Sequence, residues 1–413
     1  MRVAVVARAV FPLHGYGGLE RSVYDLTRAL AGRGVDVTLI TPPPKDQPGA
    51  DPSSIHSAID LDFVPYRTFP LAGRRGTTVL DRSTAYPLWG RRAGRRALEL
   101  VRAGRIDLVH GFGASVLGYA AARGRGVASA PLVLNPQGLE EFGATDPSRA
   151  PIKRAAYLPL RRAVAACAAA ADAVIATDRA LEPFVLRHLD IAPDRMRTIP
   201  NAIDVPALDA ITDAAPAARL RDAHGVRSGE RILLSVGRLE ENKGFHVLLR
   251  ALAAVRDHGA VDGAWRWIVL GDGPYRSVLE SLAAELALAP HVRFLGRVSD
   301  AEMHGWHEVS TLFVHPTLYE GSSLVTLEAM AHRRPVVASA AGGIPDKIRP
   351  GENGWLVPPG DPAALAAAIS GAMAGDPARL AQFGNAGRAI VEREFSWSAA
   401  GDATVALYEQ LLG

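Results

Sequence analysis

Short apolar runs alternate with amphipathic helical stretches along the whole chain, and this pattern restricts it to an α/β fold built on parallel sheets. The runs Val3–Ala7, Val35–Thr41, Leu108–His110, Leu132–Asn135 and Ala173–Thr177 are apolar on both faces, as strands covered by helices on both sides must be. A second series restarts after a Pro-, Ala- and Asp-rich stretch from Val205 to Gly229. It comprises Ile232–Val236, Trp267–Leu270, Val292–Leu295, Leu312–His315 and Pro335–Ala338. Helical patterns such as Leu19–Arg33, Phe245–Arg256 and Val278–Leu286 lie between the runs. A chain of 413 residues is too long for one compact core. The restart therefore predicts two doubly wound domains, residues 1–202 and 203–397, joined near Pro200–Asp204. A final amphipathic helix over 398–413 is expected to pack back onto the first domain.

A hydrophobic fraction of 48% with 22% charged residues describes ordinary globular material, and a net charge of +3 gives no reason to expect nucleic acid as a partner. The single cysteine, Cys167, excludes an internal disulfide and fits a reducing, cytoplasmic setting; within AVAACAAAA it reads as a small buried thiol. The start, MRVAVVARAVFPL, is interrupted by Arg8 and reads as a first strand rather than a signal peptide. No run of 18 apolar residues suggests a membrane span. The stretch from Arg74 to Arg105 carries Arg74, Arg75, Arg82, Arg91, Arg92, Arg95, Arg96, Arg102 and Arg105, interleaved with Trp89, Leu98, Leu100 and Val101. Two readings stay open: a basic amphipathic element on the inner, anionic face of the cell membrane, or a solvated helix face.

The residues that carry chemistry are concentrated in the second half. In HPTLYEGSSLVTLEAM, a strand ends at His315 and Glu320-Gly321-Ser322-Ser323 turns into a helix whose N-terminus offers unpaired N–H groups to phosphate or sugar oxygens. Glu320 and Glu328, one in the turn and one in the helix, are suited to accept from sugar hydroxyls. In SVGRLEENKGF, Arg238 and Lys243 follow a strand end, and two cations there suit a diphosphate. The alternative is a loop ion pair with Glu240 or Glu241. Gly271 lies in the turn LGDGP, which lacks the full G-x-G-x-x-G fingerprint of a dinucleotide fold. Arg297 and Val298 end another strand, where a base could rest on exposed backbone. In the first half, HGYGGLE supplies Gly17, Gly18 and Glu20 between the first strand and the first long helix. His110, Asn135 and Gln137 stand at or just after strand C-termini, where ligand crevices form. Asp60-Leu61-Asp62 is a D-x-D string in an expected loop, and no convincing metal cluster is seen.

Taken in order, GYGGLE, DLVHGF, ADAVIATD, IPNAID, SVGRLEENKG, LGDGP, VRFLGRV, LYEGSSLVTLEAMA, PVVASAAGGIPDKI and GENGWLVPPGDPAALAAAI resemble glycosyltransferase family 4, the retaining family with the GT-B architecture. The resemblance implies two Rossmann-like domains facing a cleft and a nucleotide-sugar donor as co-substrate, with no metal or other cofactor required. It also implies a glycan or lipid-linked acceptor, as in cell-envelope polysaccharide or glycoconjugate synthesis. Residue by residue, it assigns Arg238 and Lys243 to the donor diphosphate, Glu328 to the ribose, and Glu320 to the donor sugar. The backbone of Gly321, Ser322, Ser323, Leu324 and Val325 would face sugar hydroxyls and phosphate. Arg297 and Val298 would meet the base, and Gly17 and Gly18 the phosphate. Arg238, Lys243, Glu320 and His110 are the candidate catalytic groups. Glu20, Asn135 and Gln137 are candidate acceptor or sugar contacts, with Gln137 standing where many members carry histidine. Three other readings remain: an inverting transferase with His14 as base, a phosphorylase using Lys347, and a non-catalytic nucleotide-sugar-binding protein.

Overall fold

The computed structural model describes residues 1–15, 17–44, 49–68, 77–136, 139–142, 155–214, 217–259 and 264–413. The chain divides into two compact units, Met1–Asn201 with Trp397–Gly413, and Ala202–Ser396. Among the described residues, the first unit holds a seven-stranded parallel sheet. Its strands are β1 (Arg2–Val6), β2 (Asp36–Thr41), β3 (Ile59–Phe63), β4 (Leu108–Phe112), β5 (Leu132–Asn135), β6 (Ala173–Ala176) and β7 (Met196–Thr198), in spatial order β3-β2-β1-β4-β5-β6-β7. The second unit holds six: β8 (Arg231–Val236), β9 (Trp265–Leu270), β10 (Val292–Gly296), β11 (Leu312–His315), β12 (Val336–Ser339) and β13 (Gly354–Val357), ordered β10-β9-β8-β11-β12-β13. Every residue of β4, β5, β6, β9, β11 and β12 is buried, because helices cover both faces of each sheet.

Each sheet has one place where the chain reverses its direction of growth. In the first unit it lies between β1 and β4, which pair Val3 with Leu108 and Val5 with His110. In the second it lies between β8 and β11, which pair Leu312 with Leu233. Loops leaving two such neighbours diverge, and the crevice between them is where open α/β sheets take ligands.

One detail corrects the sequence reading and two extend it. Asp60-Leu61-Asp62 is not a loop but edge strand β3, paired with Thr38–Ile40, and Asp62 accepts a hydrogen bond from Arg96 Nε at 2.8 Å. The stretch after Asp204 is helical over Val205–Ala214 and Ala217–Ala223. The arginine-rich segment forms the helix Tyr86–Arg102, but its apolar face is already occupied. Trp89, Gly90, Ala93, Gly94, Ala97, Leu98 and Leu100 are buried within the first unit. Leu88 on the same helix is exposed, as are Arg91, Arg92, Arg95, Arg102 and Arg105. Arg74 and Arg75 lie outside the described residues. No helix among the described residues is long and apolar enough to cross a membrane.

Candidate functional site

The crevice between β8 and β11 gathers most of the singled-out side chains. After β8 the chain passes through Gly237 and Arg238, makes one turn of 3-10 helix at Glu241–Lys243, and enters the helix Phe245–Asp257 through Gly244. Gly244 has φ +67°, and a Cβ there would stand 1.9 Å from the Pro316 carbonyl oxygen. Only glycine allows that approach. It brings the loop after β8 against the loop after β11, where Asn242 O accepts the Leu318 N–H at 2.8 Å.

This contact delivers Lys243 to Glu320. Lys243 Nζ donates to Glu320 Oε2 at 2.8 Å, with the two side chains only 19% and 14% exposed. His315 Nε2 lies 2.9 Å from the same oxygen, and its ring is 1% exposed. Burial pushes the Glu320 carboxyl up, but the hydrogen bond to His315 and the charge of Lys243 outweigh it and hold the group down at about 2. Glu320 is therefore a carboxylate at any physiological pH. Arg238 is the opposite case: its side chain is 67% exposed and pairs at 3.1 Å with Glu240. The loop ion pair weighed in the sequence thus exists for Arg238, whereas Lys243 reaches across to Glu320.

Ser323 is the N-cap of the helix Leu324–Ala331, but its hydroxyl caps no backbone N–H. Instead it lies 2.8 Å from Thr326 Oγ1 and 3.4 Å from His315 Nε2. A Cβ at Gly321 would meet nothing within 4 Å, so the turn is open on that side. Ser322, Leu324, Val325 and Glu328 are half-buried around the same helix start. The neighbouring loops are stitched to this crevice through the backbone. Gly237 N–H donates to Leu270 O at 3.0 Å, Leu239 N–H to Asp272 O at 3.1 Å, and Gly271 N–H to Gly296 O at 2.7 Å. Exposed Arg297 and half-buried Val298 follow directly on β10.

In the first unit, Gly17 is the exposed N-cap of the helix Gly18–Ala31, and Glu20 lies in its first turn. Glu20 also lines a cavity of about 400 Å³ with Arg8, His14, Tyr66, Thr68 and Asp81, walled by Pro42, Pro43, Pro44 and Pro65. Tyr66 donates to Asp81 Oδ2 at 2.8 Å, and the Arg8 guanidinium lies over the Tyr86 ring at 4.9 Å. Sequence spacing gives no sign of Arg8, Tyr66 and Asp81 as a site, because only folding brings them together.

His110 does not stand in a crevice. It is 1% exposed, stacks on Phe112 at 5.1 Å, and its Nδ1 is hydrogen-bonded to the Tyr408 hydroxyl of the C-terminal helix Trp397–Leu412. Burial lowers its pKa to about 3, so it is a neutral core residue rather than a titrating group. His14 is engaged at both ring nitrogens. Nδ1 accepts the Val10 N–H at 3.1 Å, which leaves Nε2 to donate toward the Pro42 and Pro43 carbonyls at 3.0 and 3.2 Å. The one basic lone pair, on Nδ1, is already engaged and does not stand ready to take a proton from an acceptor. Asn135 is the buried last residue of β5, its carbonyl accepting from Gly113 N–H at 2.8 Å. Gln137 lies outside the described residues. Burial raises the Cys167 thiol to about 12, in keeping with an inert core position. Among the described residues, no group of three or more His, Cys, Asp or Glu side chains is arranged to hold a metal ion.

Residues 16–206 match the family described as Glycosyltransferase Family 4, and residues 230–374 match Glycosyl transferases group 1. The chain is 30% identical to a D-inositol 3-phosphate glycosyltransferase of Catenulispora acidiphila, over 96% of this chain and 91% of that one. Its fold is similar to that of a sucrose-phosphate synthase from Thermosynechococcus elongatus, with a TM-score of 0.76 at 26% identity, covering 99% of this chain and 98% of that one. It is also similar to the Anabaena protein HepE solved in complex with UDP, with a TM-score of 0.72 at 20% identity over 99% of this chain and 100% of that one.

Proposed function

The chain belongs to glycosyltransferase family 4, and from that membership we propose that it moves a hexosyl unit from a nucleoside-diphosphate sugar, with UDP as the nucleotide, to a hydroxyl of a glycan or lipid-linked acceptor, with retention of anomeric configuration. The observation that carries the reading is the Lys243–Glu320 pair at the β8/β11 crevice, beside the open turn at Gly321 and the start of the helix Leu324–Ala331. The N-terminal N–H groups of that helix and the cations Arg238 and Lys243 would stabilise charge growing on the departing diphosphate. Glu320 and Ser322 would face the sugar, Glu328 the ribose, and Arg297 and Val298 the base. Attack from the face the diphosphate leaves would let a diphosphate oxygen take the acceptor proton, so no protein base is required. The UDP in the HepE complex supports the choice of nucleotide.

The acceptor belongs to the first unit, at the cavity lined by Arg8, Glu20, Tyr66, Thr68 and Asp81. Its carboxylates suit hydroxyl groups, and its proline and tyrosine walls suit the apolar face of a ring. Attraction to anionic lipid through the exposed arginines of Tyr86–Arg102 would be electrostatic only; failure to sediment with anionic vesicles at low salt removes it. The transfer is proposed to proceed without a metal, and an EDTA-insensitive rate is the expected result. The deciding experiment is a thermal-shift panel of UDP, GDP and ADP on wild type and Lys243→Ala. A shift with UDP that the variant loses supports the donor site; no shift with any of the three overturns it.

A further inference from the structure

Lys347 is fully buried, with 0% of its surface exposed, in a segment flanked by the buried residues Ile344 and Ile348. An ammonium taken out of water loses several kcal/mol of hydration, and an apolar side chain of similar length would fill the same space without that loss. The chain has only four lysines against 42 arginines, taken from 46 cationic residues in all. Nζ donates to Gly343 O at 3.0 Å and to Ser322 Oγ at 3.3 Å, and lies 5.7 Å from the Phe395 ring centroid.

Both hydrogen-bonded groups belong to a pair of turns in backbone contact. Gly343 N–H donates to Gly321 O at 3.2 Å. Gly342 has φ +53°, and a Cβ there would stand 1.9 Å from Glu320 O, so no side chain fits between the turns. Lys347 therefore lies beneath the Glu320–Ser323 turn and is tied to it. An ammonium donates and cannot accept, so Ser322 Oγ must receive its proton and gives up one lone pair. The hydroxyl hydrogen of Ser322 is left to point elsewhere, and this half-buried residue adjoins the open side of Gly321.

We propose that Lys347 is a positioning residue that fixes Ser322 as a hydrogen-bond donor toward an oxygen of the donor sugar, so that the site selects sugars presenting an acceptor atom there. The inference rests on the donor-site reading above and goes beyond it by assigning polarity to one contact. The test measures binding of UDP and of UDP-glucose, UDP-galactose and UDP-N-acetylglucosamine to wild type, Lys347→Met, Lys347→Gln, Ser322→Ala and the Lys347→Met/Ser322→Ala double variant. For the tightest of the three sugars, Lys347→Met and Ser322→Ala should each weaken binding about tenfold while UDP binding stays within about twofold. The double variant should be no worse than either single, because one contact is lost only once. Lys347→Gln, whose amide still donates, should bind the sugar nucleotide more tightly than Lys347→Met. Multiplying losses in the double variant, an equal loss for UDP, or a Ser322→Ala variant that binds like wild type would each overturn the proposal. Ser322→Ala keeps the test decisive should Lys347→Met not fold. A wild type that binds no nucleotide would instead sink the donor-site reading itself.

Discussion

Replacing Lys243 by methionine keeps the stem of the side chain and removes the ammonium 2.8 Å from Glu320 Oε2. Holding the Glu320 carboxyl at about 2 rather than 4.5 corresponds to about 3 kcal/mol in favour of its ionised form. Burial opposes that preference, and the hydrogen bond to His315 and the charge of Lys243 together supply it. Loss of one charged partner from a mostly buried carboxylate should therefore destabilise the second unit by about 1.5–3 kcal/mol. For a unit of this size that lowers Tm by about 3–12 °C. The same substitution should weaken UDP by roughly ten- to a hundred-fold, because the diphosphate also loses a charged donor. The two effects separate in Lys243→Met/Glu320→Gln. With both charges gone, no ion is left buried without its partner, so most of the lost Tm should return. UDP affinity should not return, since the cation proposed to face the diphosphate is still missing. Calorimetric titration with UDP and thermal unfolding on the four proteins of this cycle decide the matter. A Lys243→Met variant that binds UDP like wild type, or a double variant that regains both stability and affinity, would refute the argument.

Glu328→Ala should weaken UDP about tenfold or more by titration calorimetry while shifting Tm by only a few degrees. Acid sensitivity follows from Glu320: its folded pKa lies below the ordinary 4.5, so its contribution to stability is complete above that pH and is lost as pH falls from about 4.5 toward 2. Scanning calorimetry from pH 6 to pH 3 should show a shallower acid-side fall in Tm for Glu320→Gln than for wild type. Gly244→Ala places a side chain at φ +67° and 1.9 Å from Pro316 O. It should destabilise by at least about 1–3 kcal/mol and lower UDP affinity through the displaced loop; an unchanged Tm would contradict the packing described.

The sequence made the α/β architecture legible because buried parallel strands are apolar on both faces, and ten of the strands carry that signature plainly. The three it did not reveal are β3 (IDLDF), β7 (MRT) and β13 (GWLV), all at sheet edges; polar residues break up the apolar run in the first two, and GWLV is apolar but only four residues long. Loop motifs named the residues of the β8/β11 crevice but not their pairings. Nothing local to Lys243 indicates that its partner is Glu320 rather than Glu240 or Glu241, because Gly244 sets that choice through its approach to Pro316. His315 sits inside the motif that carries Glu320, yet only the structure turns its ring onto the carboxylate. His110 misled for the converse reason. A histidine at a strand end reads as a crevice residue until Tyr408, 298 positions away, covers it.

The two cations of the crevice are held in ways that suit different tasks. Arg238 is exposed, and its partner Glu240 is two residues away in the same loop; surface pairs of this kind are worth about 0–1 kcal/mol. Little opposes its turning from that carboxylate to an incoming phosphate. Lys243 is fixed before any ligand arrives, since the close packing at Gly244 and the buried, ionised Glu320 determine where its amine stands. A preset charge needs no reorganisation as negative charge develops, which is where electrostatic catalysis gains most. The arrangement has a consequence for Glu320. While it neutralises Lys243 it also stops the lysine from being an unpaired buried cation, so the site tolerates being empty. When a diphosphate arrives, the ammonium, with three hydrogens to donate, can serve both partners at once. On the donor-site reading proposed above, the carboxylate and the phosphate would then share one cation, leaving the remaining capacity of Glu320 for the sugar.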